Sequence, residues 1–91
     1  MRLIRWTTEA ANELEAAITY VRQDDPDAAR TLAQTAIHRI EQLATFPGIG
    51  RPGEVNGTRE LVVSRYVIVY RYTAEIVEIL HIWHGAQDWR E

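Results

Sequence analysis

Apolar residues recur every three or four positions early in the chain: Ala10, Ala11, Leu14, Ala17, Ile18 and Val21 form one stripe, with Asn12, Glu13, Glu15, Thr19 and Arg22 between them. That period predicts an amphipathic helix. Thr7 or Thr8 is placed to cap it, and Glu9 falls in the first turn, where the helix dipole favours an acid. Gln23 to Asp27 reads as a break and restart, with Asp25 as cap and Pro26 at the first helical position. A second stripe of Ala29, Leu32, Ala33, Ala36, Ile37, Ile40, Leu43 and Ala44 follows. Before the helices, Leu3–Trp6 reads as a short strand. After Phe46-Pro47-Gly48 the pattern changes to three β-rich runs, Glu60–Val63, Tyr66–Tyr72 and Ile76–His84. Connectors as short as Ser64-Arg65 and Thr73-Ala74-Glu75 suit antiparallel hairpins. The middle run is apolar or aromatic at both parities up to Tyr70, as a central strand requires.

The expected order is strand, helix, helix, strand, strand, strand. Both helical stripes are rich in Ala, so the two helices can approach closely as a hairpin. Each needs an apolar surface to cover, which predicts an α+β fold: a four-stranded, antiparallel-dominated sheet with the helical hairpin on one face. Residues 47–57, rich in Gly and Pro, are expected as a loop. Residues 1–91 suit a single domain with one hydrophobic core.

Composition adds few constraints. A content of 46% hydrophobic and 25% charged residues is ordinary for a soluble globular protein. No apolar run approaches the roughly 20 residues of a bilayer span, and the first residues lack the apolar segment of a secretory signal. With no cysteine there is no disulfide or thiolate site, so a cytoplasmic location is the expectation. The formal net charge of −3 argues against coating nucleic acid by bulk electrostatics. The charge is uneven, however: Arg51, Arg59, Arg65 and Arg71 outnumber the acids around them, whereas Glu9 to Asp27 is acidic. All 10 basic residues are Arg, either through genome composition or because a planar fork suits carboxylate or phosphate partners.

No metal set, Walker or Rossmann glycine loop, or nucleophile elbow is present, and no cofactor is expected. His81 and His84 lie three apart on one strand, where alternation directs them to opposite faces. His38 reads as part of a solvated helix face. Arg59, Arg65, Arg71 and His84 would hold a phosphodiester and offer a general acid or base if they shared the uncovered face of the sheet. The alternative is that these Arg pair with Glu60, Glu75 and Glu78 or with a partner protein. Trp89 either folds back onto the core or waits for a partner.

The Trp-ended first strand, the restart at Asp25-Pro26, Phe46-Pro47 with Gly50-Arg51-Pro52, Arg59-Glu60-Leu61, Tyr66 to Arg71 and the closing His84-Gly85 resemble the RelE/ParE superfamily of bacterial toxins. The resemblance covers nearly the whole chain. It implies the toxin of a type II toxin-antitoxin pair, held silent in a hetero-oligomer by a cognate antitoxin, with operator DNA contacted chiefly through that antitoxin. RelE-like members cut mRNA on the ribosome with basic residues on the sheet, and usually carry Arg where this chain has Val67. ParE-like members poison DNA gyrase and resemble this chain more closely there. On that branch Arg51, Arg59, Arg65, Arg71 and Trp89 are expected as target or antitoxin contacts, with no catalysis. On the mRNA interferase branch, Arg59, Arg65 and His84 are the catalytic candidates, with Glu54 near the acidic position of the YoeB-like nucleases.

Overall fold

The computed structural model describes residues 1–85. The sheet strands are β1 (Leu3–Trp6), β2 (Arg51–Pro52), β3 (Arg59–Val63), β4 (Tyr66–Tyr72) and β5 (Ile76–His84); the helices are α1 (Thr8–Asp24) and α2 (Pro26–Gln42). The class is α+β as expected, but the sheet has five strands, in the order β1-β5-β4-β3-β2. The extra strand is β2, inside the segment expected as a loop. It has two residues, pairs antiparallel with β3 at Arg51↔Glu60 and Pro52↔Arg59, and lies at the edge, where a proline costs no interior ladder bond. From β2 to β5 every pairing is antiparallel; β1 joins β5 in parallel.

Local chemistry sets the helix ends. The Thr7 hydroxyl accepts the Ala10 N–H at 3.1 Å, and the Asp25 carboxylate accepts the Ala28 N–H at 3.1 Å beside Pro26 in the first turn of α2. Thr7 also ends the parallel ladder: its N–H donates to the Ile79 carbonyl, and its hydroxyl faces the Ile79 and Leu80 carbonyls, each at 3.0 Å. One residue therefore closes β1, starts α1 and holds β5.

Both helices lie on one face of the sheet. Ala10, Leu14, Ala36, Ile40 and Leu43 pack against Leu61, Val63, Ile68, Tyr70, Val77, Ile79 and Ile82, with Ile4 and Trp6 at the margin. The buried alanines let the helices sit close to each other and to the strands. Ser64-Arg65 is the two-residue turn between β3 and β4; Ser64 carries a positive φ of 55°, the sign that the primed hairpin turns use at their first central residue. At Leu80 the β5 strand holds one extra residue, since Val69 faces His81 while Tyr70 faces Ile79.

Tyr70 anchors the chain between α2 and β2. Its side chain is fully buried, its hydroxyl donates to the Pro47 carbonyl at 2.6 Å, and it accepts the Gly50 N–H at 3.0 Å. A side chain at Gly50 would place a Cβ 2.6 Å from that hydroxyl oxygen and 2.8 Å from the Glu60 carbonyl, so only glycine fits this approach. Burial raises the Tyr70 hydroxyl above its ordinary value of 10.0, against the lowering effects of the Gly50 N–H and Arg59. Its contribution to stability is therefore complete below pH 10.0 and declines as pH rises through the elevated folded value. Tyr70→Phe should cost about 1–3 kcal/mol in urea unfolding, because two buried backbone groups lose their partner, and it should weaken the loss of stability above pH 10.

Candidate functional site

The sheet face opposite the helices is the candidate surface, and cross-strand register organises its charges. Arg5 on β1, Glu78 on β5 and Arg71 on β4 are aligned in one row. Arg71 Nε donates to Glu78 Oε1 at 2.8 Å, and Arg5 Nη2 meets Glu78 Oε2 at 3.4 Å, so one carboxylate lies between two guanidiniums. At the opposite side of the sheet, Arg51 and Glu60 face each other across β2 and β3: Nε and Nη2 of Arg51 contact Glu60 Oε1 at 3.1 and 3.0 Å. Glu60 is only 4% exposed. A carboxylate this buried stays charged only with close partners.

Between these pairs lies a groove of about 560 Å³. Its floor is Val69 and Leu80; the loop from Glu54 to Thr58 forms one wall, and His81 and Trp83 form the other. The two rings are stacked, with centroids 4.4 Å apart and planes 21° from parallel. A residue of α1 holds that wall in place. The Glu13 carboxylate accepts from His81 Nδ1 at 3.2 Å, from the Ile82 N–H at 3.0 Å and from Trp83 Nε1 at 3.1 Å. This contact was not evident in the sequence, where Glu13 is one more polar position between apolar ones; its partners lie 68 to 70 residues away.

The residues singled out as nuclease candidates do not converge. Arg59 shares the parity of Leu61 and, directly opposite Tyr70, donates to the Gly50 carbonyl at 2.6 Å, pinning the same loop that Tyr70 holds. Arg71 lies on the open face. Arg65 is exposed at the β3–β4 turn and makes no ion pair among the described residues. His84 lies toward the helices, edge-on to Tyr66 with ring centroids 5.1 Å apart. Burial raises the Tyr66 hydroxyl above 10.0, with Tyr20 adding to the rise and Arg65 opposing it. His38 is exposed on α2 beside Gln42. Glu54 borders the open-face groove. Trp89 lies outside the described residues. Among the described residues no cluster of three or more His, Asp or Glu is placed to hold a metal ion, and no helix is long and apolar enough to cross a membrane.

The sequence model described as the ParE toxin of type II toxin-antitoxin system, parDE, matches residues 4–89. The chain belongs to this ParE toxin family. It is 41% identical over 88 residues to the putative toxin Y4kP of Sinorhizobium fredii, covering 94% of this chain and 91% of that one. It is 32% identical over 87 residues to toxin RelE2 of Caulobacter vibrioides, covering 96% and 99%. Among solved structures, a chain of the chromosomal ParDE system from P. aeruginosa superposes with a TM-score of 0.81 at 27% identity, covering 92% of this chain and 96% of that one. A chain of the RelBE2 toxin-antitoxin complex of Mycobacterium tuberculosis shares the fold, with a TM-score of 0.62 at 23% identity and coverage of 91% and 96%. The ParE-like chain is thus a type II toxin-antitoxin toxin of the ParE/RelE superfamily.

The two charge arrangements predict different mutational costs. Arg51→Ala removes a close cation from a buried carboxylate and should cost about 1–2 kcal/mol in chemical denaturation, below the figure for a fully buried pair because Arg51 is half exposed. Arg71→Ala acts on a solvent-exposed guanidinium and should cost about 0–1 kcal/mol, shrinking further as salt is added.

Proposed function

We propose that this ParE-family toxin arrests growth by binding DNA gyrase rather than by cutting RNA, and that a cognate antitoxin silences it by covering the toxin surface. The observation that carries this reading is the divergence of the nuclease candidates. Cleavage through a 2′-hydroxyl needs a proton-transfer group and cations gathered around one phosphodiester. Here Arg59 holds a loop carbonyl, Arg71 is engaged by Glu78, Arg65 sits at a turn and His84 faces the helices.

A binding surface needs no such convergence. It needs shape, apolar area and charges of both signs, all of which the open-face groove and its two Arg–Glu pairs offer. The match to the ParE family and the likeness to a ParDE chain support gyrase as the target and an antitoxin as the partner. On this reading Arg65, Arg71 and Trp89 are contact residues, and operator DNA is reached through the antitoxin.

Induced without antitoxin in a bacterial host, the chain should depress thymidine incorporation within minutes while methionine incorporation initially continues. The purified chain should inhibit supercoiling by gyrase in vitro, and His84→Ala should remain toxic. An early fall in methionine incorporation with mRNA cleavage, lost by roughly 10²-fold in His84→Ala, would instead establish a ribosome-dependent nuclease.

A further inference from the structure

The hydrogen bonds of Glu13 determine where the proton sits on the imidazole it holds. Its Oε1 meets the Ile82 N–H at 3.0 Å and His81 Nδ1 at 3.2 Å, and its Oε2 meets Trp83 Nε1 at 3.1 Å. A backbone amide and an indole nitrogen only donate, and an ionised carboxylate only accepts. His81 Nδ1 is therefore a donor as well, an assignment made from the network. In the neutral ring the proton is then on Nδ1, and Nε2 carries a lone pair and no hydrogen.

That lone pair faces no competitor among the described residues, where the one polar contact of the His81 ring is to Glu13 through Nδ1. The ring is partly exposed and, stacked on Trp83, forms a wall of the groove of about 560 Å³ whose floor is Val69 and Leu80. Charge and shape narrow what this groove accepts. The row of Arg5, Glu78 and Arg71 holds two cations to one anion, so an entering guanidinium or ammonium is repelled at the Arg71 border. An entering carboxylate meets the Nε2 lone pair, with the Glu13 charge behind it. A small hydroxyl group would leave the apolar floor uncovered. An aromatic side chain with a neutral donor at its tip meets every condition, because the ring covers the floor and the O–H or N–H reaches the acceptor.

We propose that the groove is the subsite for a tyrosine or tryptophan side chain of the target protein, with His81 Nε2 as its hydrogen-bond acceptor. Glu13 is the positioning residue that keeps that nitrogen an acceptor. The inference rests on the reading of the chain as a toxin that acts by binding, and it specifies the contact that gives that binding its selectivity. Tyr and Trp are also among the side chains that dominate interface energies when they enter a pocket of this kind.

The test combines NMR of the isotope-labelled chain with two probes: p-cresol, which has the ring and hydroxyl of tyrosine, and toluene, which has the ring alone. At a pH where the imidazole is neutral, its nitrogen signals should show the His81 proton on Nδ1, and Glu13→Ala should release a mixture of tautomers. p-Cresol should shift the His81 Nε2 and Trp83 indole signals and bind about fivefold more tightly than toluene. His81→Asn keeps a donor toward Glu13 but has nothing at the Nε2 position, so there the preference should vanish while the far-UV spectrum is unchanged. The same variant should inhibit gyrase supercoiling about tenfold less than the wild type. A proton on Nε2 in the wild type would overturn the proposal. So would undetected or equal binding of the two probes, or full inhibition of gyrase by His81→Asn. If the wild-type chain leaves gyrase untouched while the preference for p-cresol holds, the gyrase reading fails and the subsite stands, serving another target.

Discussion

The parallel ladder between β1 and the first half of β5 is the constraint on which the other arrangements depend. It joins residues more than 70 positions apart, with Thr7 meeting the Ile79 and Leu80 carbonyls at separations of 72 and 73. A parallel pair cannot be closed by a tight turn, so the intervening chain must cross one face of the sheet, and the two helices are that crossing. Once α1 starts at the end of β1, its apolar stripe has one surface available, and the hairpin covers that surface alone. The opposite face carries charged and aromatic side chains around a floor of Val69 and Leu80.

Polar residues in this molecule do two kinds of work, and burial separates them. Tyr70 and Arg59 look alike in sequence to the other aromatic and basic residues of the sheet. Together they fasten residues 47–50 to strands β3 and β4 through four backbone groups: the Pro47, Gly48 and Gly50 carbonyls and the Gly50 N–H. Glu60 and Glu78 each meet arginines across the ladder, which explains why an arginine-rich segment does not form a basic surface. What remains for recognition is a groove of mixed sign with an aromatic wall. That arrangement suits association with a folded protein better than it suits a polyanion.

Much of the fold was legible because its signals are local. Both helix caps, the Pro26 restart and the limits of β4 and β5 follow from residues within a turn of where they act. The strand β2 was not legible: two residues, one of them proline, among glycines carry no periodicity, and only their pairing with Arg59 and Glu60 makes them a strand. The role of Arg59 was hidden for the same reason, since its partners are carbonyls of a loop whose path sequence does not specify. Glu13 is the extreme case. Its environment on α1 gives no hint that its carboxylate reaches a strand edge nearly seventy residues away.

The same constraint connects these omissions to function. Because β1 is four residues long and β5 nine, β1 pairs with only the first part of β5, and α1 leaves the sheet where that pairing ends. A helix departing there can place a side chain on the first outward N–H beyond the ladder, and position 13 is where it does so. The carboxylate then also reaches His81 and Trp83, so one side chain seals the edge and steadies the groove wall on the opposite face. Residue types alone do not reveal this. A strand's period of two assigns His81 and Trp83 to one face and Ile82 and His84 to the other, and a shift of one residue would exchange them. Register thus decides which of these arginines and histidines share a face, and the residue types alone do not.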